Sequence, residues 1–396
     1  MKKTTSVLLV GAMVLAAAPG CSRGGNASSA VDESALRAAQ TELQLVRQDG
    51  DPGHYTRATD LLRGMPANDL GVLVTRGTLE LAKHDFKGAN DIAAKALAIA
   101  PQSPAALGVA VDAANELGRY ADAADLTQRM VDQHPDLSSL SRVSYARELR
   151  GDIPGAIEAM TQAISAGAAN RENIVYTQVQ LANILLSSGD IGGAERELDA
   201  AAALLPSFAP LKVARARVLI ARDRLLDAAD LLKEVLEVQP TAEAAILRAD
   251  TLRAAGHPDP TADALVGAIV KLYRANGVNT DLEMALHRTD RDPGPAAVAD
   301  ARKAAAARPS TLGHEVLAWA LHRAGDDTAA WREMRKALAL GSRDPQLHYH
   351  AAEIAFARGD TTTARTHLRI VLAGNPRFSP LAAPEVQRLA HELGLS

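Results

Sequence analysis

At 396 residues, 47% hydrophobic and only 3% aromatic, the chain has the apolar content for a large core, but one assembled from many small contacts. Its formal charge of −4, or −6 once Lys2 and Lys3 are removed with an export segment, comes with no basic stripe, which excludes the electrostatic footprint of a nucleic-acid binder. Cys21 is the only cysteine, which excludes an internal disulfide.

Residues 1–20 read as an export signal. Lys2 and Lys3 form a positive n-region, and the apolar run Ser6 to Ala18 is too short to span a bilayer as a helix. The following Ala18-Pro19-Gly20-Cys21 resembles the lipobox of bacterial lipoproteins, which implies lipidation at Cys21; cleavage after Ala18, leaving a free thiol, is the alternative. Residues 21–31 then serve as a lipidated cysteine and a Gly/Ser tether reaching on the order of 35 Å. Asn26-Ala27-Ser28 matches a glycosylation sequon, but that reading requires a secretory route at odds with the lipobox.

Residues 32–69 are predicted to form a divergent helix pair, with helices over Ala35–Val46 and Tyr55–Arg63. Asp49-Gly50-Asp51-Pro52-Gly53 between them is read as a turn, because no glutamate follows at the spacing a calcium loop requires. From residue 70 to 378 a unit of about 34 residues recurs. Nine alanines mark it: Ala89, Ala123, Ala156, Ala194, Ala228, Ala262, Ala297, Ala330 and Ala364, separated by 34, 33, 38, 34, 34, 35, 33 and 34 residues. A proline follows twelve residues later in six copies (Pro101, Pro135, Pro206, Pro240, Pro309, Pro376). A small residue precedes by twelve in seven (Gly77, Ser144, Ala182, Ala216, Ala285, Ala318, Ala352), with Val111 and Asp250 in the other two.

Two antiparallel helices approach closely only where the crossing side chains are small, so such a spacing predicts helical hairpins stacked through their neighbours. Gly151-Asp152, Gly189-Asp190, Gly325-Asp326 and Gly359-Asp360 place a glycine where the first helix must end left-handed and an aspartate where the second needs a cap. Two disturbances stand out. Ser165 to Glu172 lengthens one connection, and a second disturbance lies at Asn276 to Pro295, where Asp290-Arg291-Asp292-Pro293-Gly294-Pro295 is expected to be a loop. Ala382 to Leu395, within residues 379–396, forms an amphipathic capping helix.

The register resembles the tetratricopeptide repeat, whose signature has small residues at positions 8, 20 and 27 and proline at 32. With the nine alanines at position 20, position 27 is Ala96, Met130, Ala163, Ala201, Val235, Ile269, Ala304, Ala337 and Val371. The large aromatics usual at positions 4 and 11 are mostly missing. The resemblance implies an all-α, right-handed α-solenoid of about nine to ten helix–turn–helix repeats with a C-terminal capping helix. It also implies a concave groove lined by the first helix of each repeat. On this chain that surface is Asp112, Asn115, Ser141, Tyr145 and Glu148, then Tyr176, Asn183, Leu186 and Arg217, then Glu315, Trp319, His322, Tyr349, Glu353 and Phe356. Aromatics with a polar rim are what binding hot spots are made of. The Lys/Asn/Arg set with which some members clamp a C-terminal carboxylate is absent at the matching positions.

No phosphate loop, His-Glu-x-x-His or Gly-x-Ser-x-Gly occurs. His348 and His350, two apart on a helix, point about 200° from each other and cannot chelate one metal from the same turn. The expectation is therefore a non-catalytic protein-interaction scaffold with no cofactor, no metal and no small-molecule substrate. It would be lipid-anchored, extracytoplasmic, and would bind protein or extended peptide ligands of the cell envelope. The alternative is a chaperone-like assembly factor for secreted or outer-membrane subunits of the pilus or secretin type.

Overall fold

Twenty-one α-helices, with no strand among the described residues, make up this computed structural model, which describes residues 31–168 and 170–395. The export signal, Cys21 and all of the tether but Val31 lie outside the described residues. No helix among the described residues is long and apolar enough to cross a membrane. The helices fall into two compact units, one reaching to Arg142 and including Val270–Thr280, the other comprising Val143–Ile269 and Asp281 onward.

The first unit opens with α1 (Glu33–Asp49) and α2 (Gly53–Leu62), followed by the hairpins α3 (Leu70–Ala82) with α4 (Phe86–Ile99) and α5 (Pro104–Glu116) with α6 (Tyr120–Gln133). Asp32 and Asp69 cap α1 and α3 through their side chains. The acidic turn binds its own backbone: Asp51 Oδ1 accepts from Gly53 N at 2.8 Å, and Asp49 Oδ1 from Asp51 N at 2.9 Å. Leu36, Ala39, Tyr55, Leu62, Val72 and Leu79 bury together with Val278 of the strap 270–280. The strap is also pinned by Tyr273 Oη donating to Gly50 O (3.2 Å) and Asn279 N donating to Lys83 O (2.8 Å).

In the second unit the hairpins are α9 (Arg171–Ser187) with α10 (Ile191–Leu204), α11 (Ala209–Ala221) with α12 (Leu225–Val238), α15 (Asp281–Arg291) with α16 (Pro295–Ala307), α17 (Thr311–Arg323) with α18 (Asp327–Ala337), and α19 (Pro345–Ala357) with α20 (Thr361–Ala373). It also contains α8 (Ile153–Ala166), α13 (Ala242–Ala254) and the capping helix α21 (Ala383–Glu392). The unit boundaries fall within α7 (Leu137–Glu148) and α14 (Pro260–Ala275).

The repeat register is realised at every copy. All nine position-20 alanines are at most 3% exposed, and all nine position-27 residues at most 4%. The crossing is visible in the third of the nine copies, where Ser144 Oγ at position 8 donates to the carbonyl of Ala156 at position 20, 2.7 Å away. Position 8 is buried even where it is not small. Val111 is 1% exposed and Asp250 0%, the latter accepting from Arg291 at 2.7 Å. Asp152, Asp190, Asp326 and Asp360 each accept from the backbone N–H three residues on, and the preceding glycines have φ of +74°, +93°, +90° and +78°.

Two expectations are corrected. Asp290 and Arg291 are the last residues of α15, so the loop shrinks to residues 292–294; Asp290 is 1% exposed and held by a tryptophan N–H, which favours helix over turn there. The insertion after Ile164 does not make a long loop either. It lengthens α9 to 17 residues, capped by Asn170, against 13 in α11, α17 and α19.

Candidate functional site

The first helix of each repeat carries the residues expected to line a groove. In the first unit Asp112 (7% exposed) is held by Arg142, whose Nε and NH2 groups donate to Oδ1 and Oδ2 at 2.9 and 2.6 Å. Burial pushes the Asp112 carboxyl up to about 6, against the pull of Arg142. The bidentate guanidinium keeps it ionised at neutral pH. Asn115 is 8% exposed, and Ser141, 0% exposed, donates back to Leu137 O at 2.6 Å.

In the second unit Tyr145, Tyr176 and Asn183 are half-buried on α7 and α9, while Leu186 is buried. Tyr176 leans on the core formed by Val175, Val179, Leu198 and Leu211. Arg217, 9% exposed, donates to Glu243 at 2.7 Å. Residues Glu315, Trp319, His322 and Tyr349 come together, with two partners that sequence reasoning did not include. Trp319 Nε1 donates to Asp290 Oδ1 at 2.7 Å, and its ring stacks on His350 with centroids 4.0 Å apart and 15° between planes. His350 Nδ1 lies 2.9 Å from Glu315 Oε1, and Gln346 Nε2 donates to the same oxygen at 3.1 Å. Tyr349 tilts against Trp319 at 5.9 Å and against Phe378 at 5.8 Å, and Arg323 sits over the indole at 5.4 Å. These contacts run across α15, α17 and α19 as one polar–aromatic seam.

The seam is closed. Trp319 and Tyr349 are each 2% exposed and Glu315 is 6% exposed, so the aromatic faces expected to meet a ligand are used in internal packing. His322 and Phe356 are half-buried, His322 Nδ1 lying 2.5 Å from Asp327 Oδ1. Glu353, also half-buried, accepts from Arg388 of the capping helix at 2.8 Å. Burial lowers the His322 pKa against the opposing pull of Asp327, and raises the Glu353 carboxyl against that of Arg388. The helical offset could have revealed Asp290 only if it had been read as helical. His350 was weighed as a metal ligand, whereas its ring is a stacking partner.

His348, at packing position 4, is 5% exposed; its Nε2 meets Ser342 O at 2.8 Å and its Nδ1 meets His367 Nδ1 at 2.7 Å. The carbonyl accepts, so Nε2 carries the proton, Nδ1 accepts, and His367 donates from its own Nδ1. That arrangement needs the His348 ring neutral, and burial accordingly lowers His348 to about 4. Among the described residues no three metal-ligating side chains gather.

A cavity of about 130 Å³ opens in the second unit between the ends of α7 and α9 and the start of α19. Glu148, Ile184, Ser187, Ser342, Asp344 and Gly374 are among its lining residues. Glu148 is one of the expected groove positions; Asp344, the N-cap of α19, was not read as a site residue.

Residues 80–146 match a family model described as tetratricopeptide repeat. No curated protein sequence matches the chain. Among solved structures it is similar to a chain of the APC/C hetero-tetramer Cut9–Hcn1, with a TM-score of 0.38 and 15% identity over 90% of this chain and 63% of that one, less than two thirds of its length. It is also similar to a tetratricopeptide repeat protein from Parabacteroides merdae (TM-score 0.42, 16% identity, 63% of this chain and 96% of that one) and to yeast Tom70 (0.36, 12%, 92% and 96%). At such values the likeness goes no further than a stack of helical hairpins.

Proposed function

We propose that the chain is a non-catalytic protein-binding scaffold, exported and lipid-anchored at Cys21, that takes an extended segment of a cell-envelope protein along its first helices. The observation that supports this reading best is the partial exposure of Tyr145, Tyr176 and Asn183 on the neighbouring helices α7 and α9. Each keeps part of its surface in solvent, where two tyrosines and an amide can add to a partner's contacts while the rest of each residue stays packed. Trp319 and Tyr349 are buried, and Arg217 and Glu315 are committed to internal partners.

Crosslinked affinity purification from native membranes tests this, comparing wild type with Tyr145→Ala/Tyr176→Ala. A set of envelope proteins recovered with wild type and lost with the variant is the expected result; an identical set from both removes α7 and α9 from the binding surface. Partners captured only briefly, in extended form, would favour the assembly-factor alternative. Cys21→Ser separates the anchor from the scaffold: it should release the protein from the membrane fraction and leave partner capture in detergent extract unchanged. Unaltered fractionation of that variant would remove the anchor.

A further inference from the structure

Within the second unit, the turns at Gly151, Gly189 and Asp223 rest on the chain's last repeats. A Cβ at Gly151 would lie 2.3 Å from Gly341 O, one at Gly189 2.8 Å from Gly374 O, and Asp223 pairs with Arg377. Glycine at 151 and 189 is thus required twice, for a left-handed φ and for close backbone approach. Asp223 occupies the equivalent turn position without being glycine, at φ +62°, with the Arg377 pair to offset that strain. The cavity beside this closure brings together Glu148, in the last turn of α7, and Asp344, at the head of α19.

Asp344 accepts from Leu347 N at 2.9 Å, and among the described residues neither acid has an ion-pair partner. Arg343 lines the same cavity without reaching either. From α7, Arg147 is drawn to Asp152 (3.9 Å) and Glu158 (3.7 Å), and Arg150 donates to Ala146 O (2.8 Å). From α17, Glu315 adds a third acid, tied to His350 and Gln346. From α19 and α20 come His348 and His367, engaged with Ser342 O and with each other. The end of α9 brings Ser187 and Ser188. The remaining walls are Ile153, Ile184, Ile370 and Ala373, a lining that strengthens repulsion between like charges.

We propose that Glu148 and Asp344 form a pH-operated clasp: protonation of the pair lets the turn at Gly151 rest on the loop before α19, and loss of that proton drives the two acids apart. The inference is independent of whether the first helices bind a partner. Both acids keep some accessible surface at the cavity wall; the apolar walls around them, followed by the charge of Asp344, push Glu148 up to about 7, and burial, followed by the charge of Glu315, does the same for Asp344. A carboxyl whose pKa is raised in the closed state stabilises closure fully below its open-state pKa, and that stability is lost as pH rises through about 7. His348 acts with the opposite sign, since its lowered pKa makes acid unfavourable.

Hydrogen exchange on the full chain tests the clasp, with amide protection at residues 148–155 and 341–347 corrected for intrinsic rates and α11–α12 as internal reference. Between pH 6 and pH 8 wild type should lose about tenfold protection at the closure, the factor expected for one linked proton, with α11–α12 unchanged. Glu148→Gln/Asp344→Asn should hold its protection level or gain with rising pH, as only the histidine response remains. Gly151→Ala should be unprotected at the closure at both pH values. A flat wild-type profile, a loss shared equally by α11–α12, or the same loss in the double variant would each overturn the proposal. A flat wild-type series overturns the proposal even if the double variant does not fold, and in that case the single variants Glu148→Gln and Asp344→Asn take the double variant's place.

Discussion

The two helices of each repeat differ more in burial than in sequence. Second helices are half wet: α4 buries Phe86, Ala89, Ala93 and Ala96 of its 14 residues, and α12 buries Ala228, Ala229, Leu232 and Val235 of its 14. Some first helices are covered on nearly every side, α5 being buried continuously from Ala106 to Glu116 and α19 from Pro345 to Ala352, whereas α7 and α9 keep Tyr145, Tyr176 and Asn183 half-buried. A helix covered all round cannot leave its polar groups to water. Several of the first row are accordingly joined to one another, as in Asp112 with Arg142, Asp290 with Trp319 and Glu315 with His350, while among the described residues Gln178 Oε1, Asp250 Oδ2 and His287 Nδ1 are buried without a hydrogen bond. The second row carries its ion pairs in solvent, where they contribute little.

The sharpest way to break that contrast is to remove one partner of a first-row pair. Arg142→Ala leaves the Asp112 carboxylate buried and alone, and should cost about 3–5 kcal/mol by urea denaturation. Acid gives the next effect. His348 is neutral in the fold, with a pKa lowered to about 4, so stability is intact above its unfolded value and lost as pH falls toward 4. Relative to His348→Gln, wild type should lose about 1.4 kcal/mol per pH unit between pH 6.5 and 4, measured by thermal unfolding across that range. Trp319→Phe keeps the ring and deletes the N–H, leaving Asp290 short of a donor at 1% exposure. A loss of about 1–3 kcal/mol in the same denaturation assay is expected. At the other end, Lys87→Ala removes a second-row pair with Asp91 in which the side chains are 80% and 53% exposed, and the unfolding midpoint should not move.

The contrast also explains what was legible in the sequence. Alanine at nine crossings, Gly-Asp turns and aspartate caps are local requirements, met by residue type and spacing, and the structure realises each of them at the expected position. Second helices followed as well, because one apolar face and one wet face is the pattern that helical periodicity records. The first row was misread in degree. Trp319, Tyr349 and Glu315 stand at positions that face a groove in this register, and periodicity cannot distinguish a polar residue facing water from one facing a buried partner 29 or 35 residues away. Asp290 was hidden for a related reason: its neighbours Asp292, Pro293 and Gly294 signal a turn, whereas the Trp319 N–H that holds it in helix is distant in sequence. The meeting of Glu148 with Asp344 was beyond the reach of a nearest-neighbour repeat pattern, which carries no signal for contacts across many repeats.

The two tryptophans of the chain permit one direct measurement, since Trp319 lies in the first row and Trp331 in the second. Acrylamide quenching of Trp331→Phe, which retains only Trp319, is to be compared with that of Trp319→Phe, which retains only Trp331. A closed first row predicts that Trp319 emits at shorter wavelength and is quenched severalfold more slowly than the half-buried Trp331. Equal quenching of the two would show the first row open to solvent and contradict its burial.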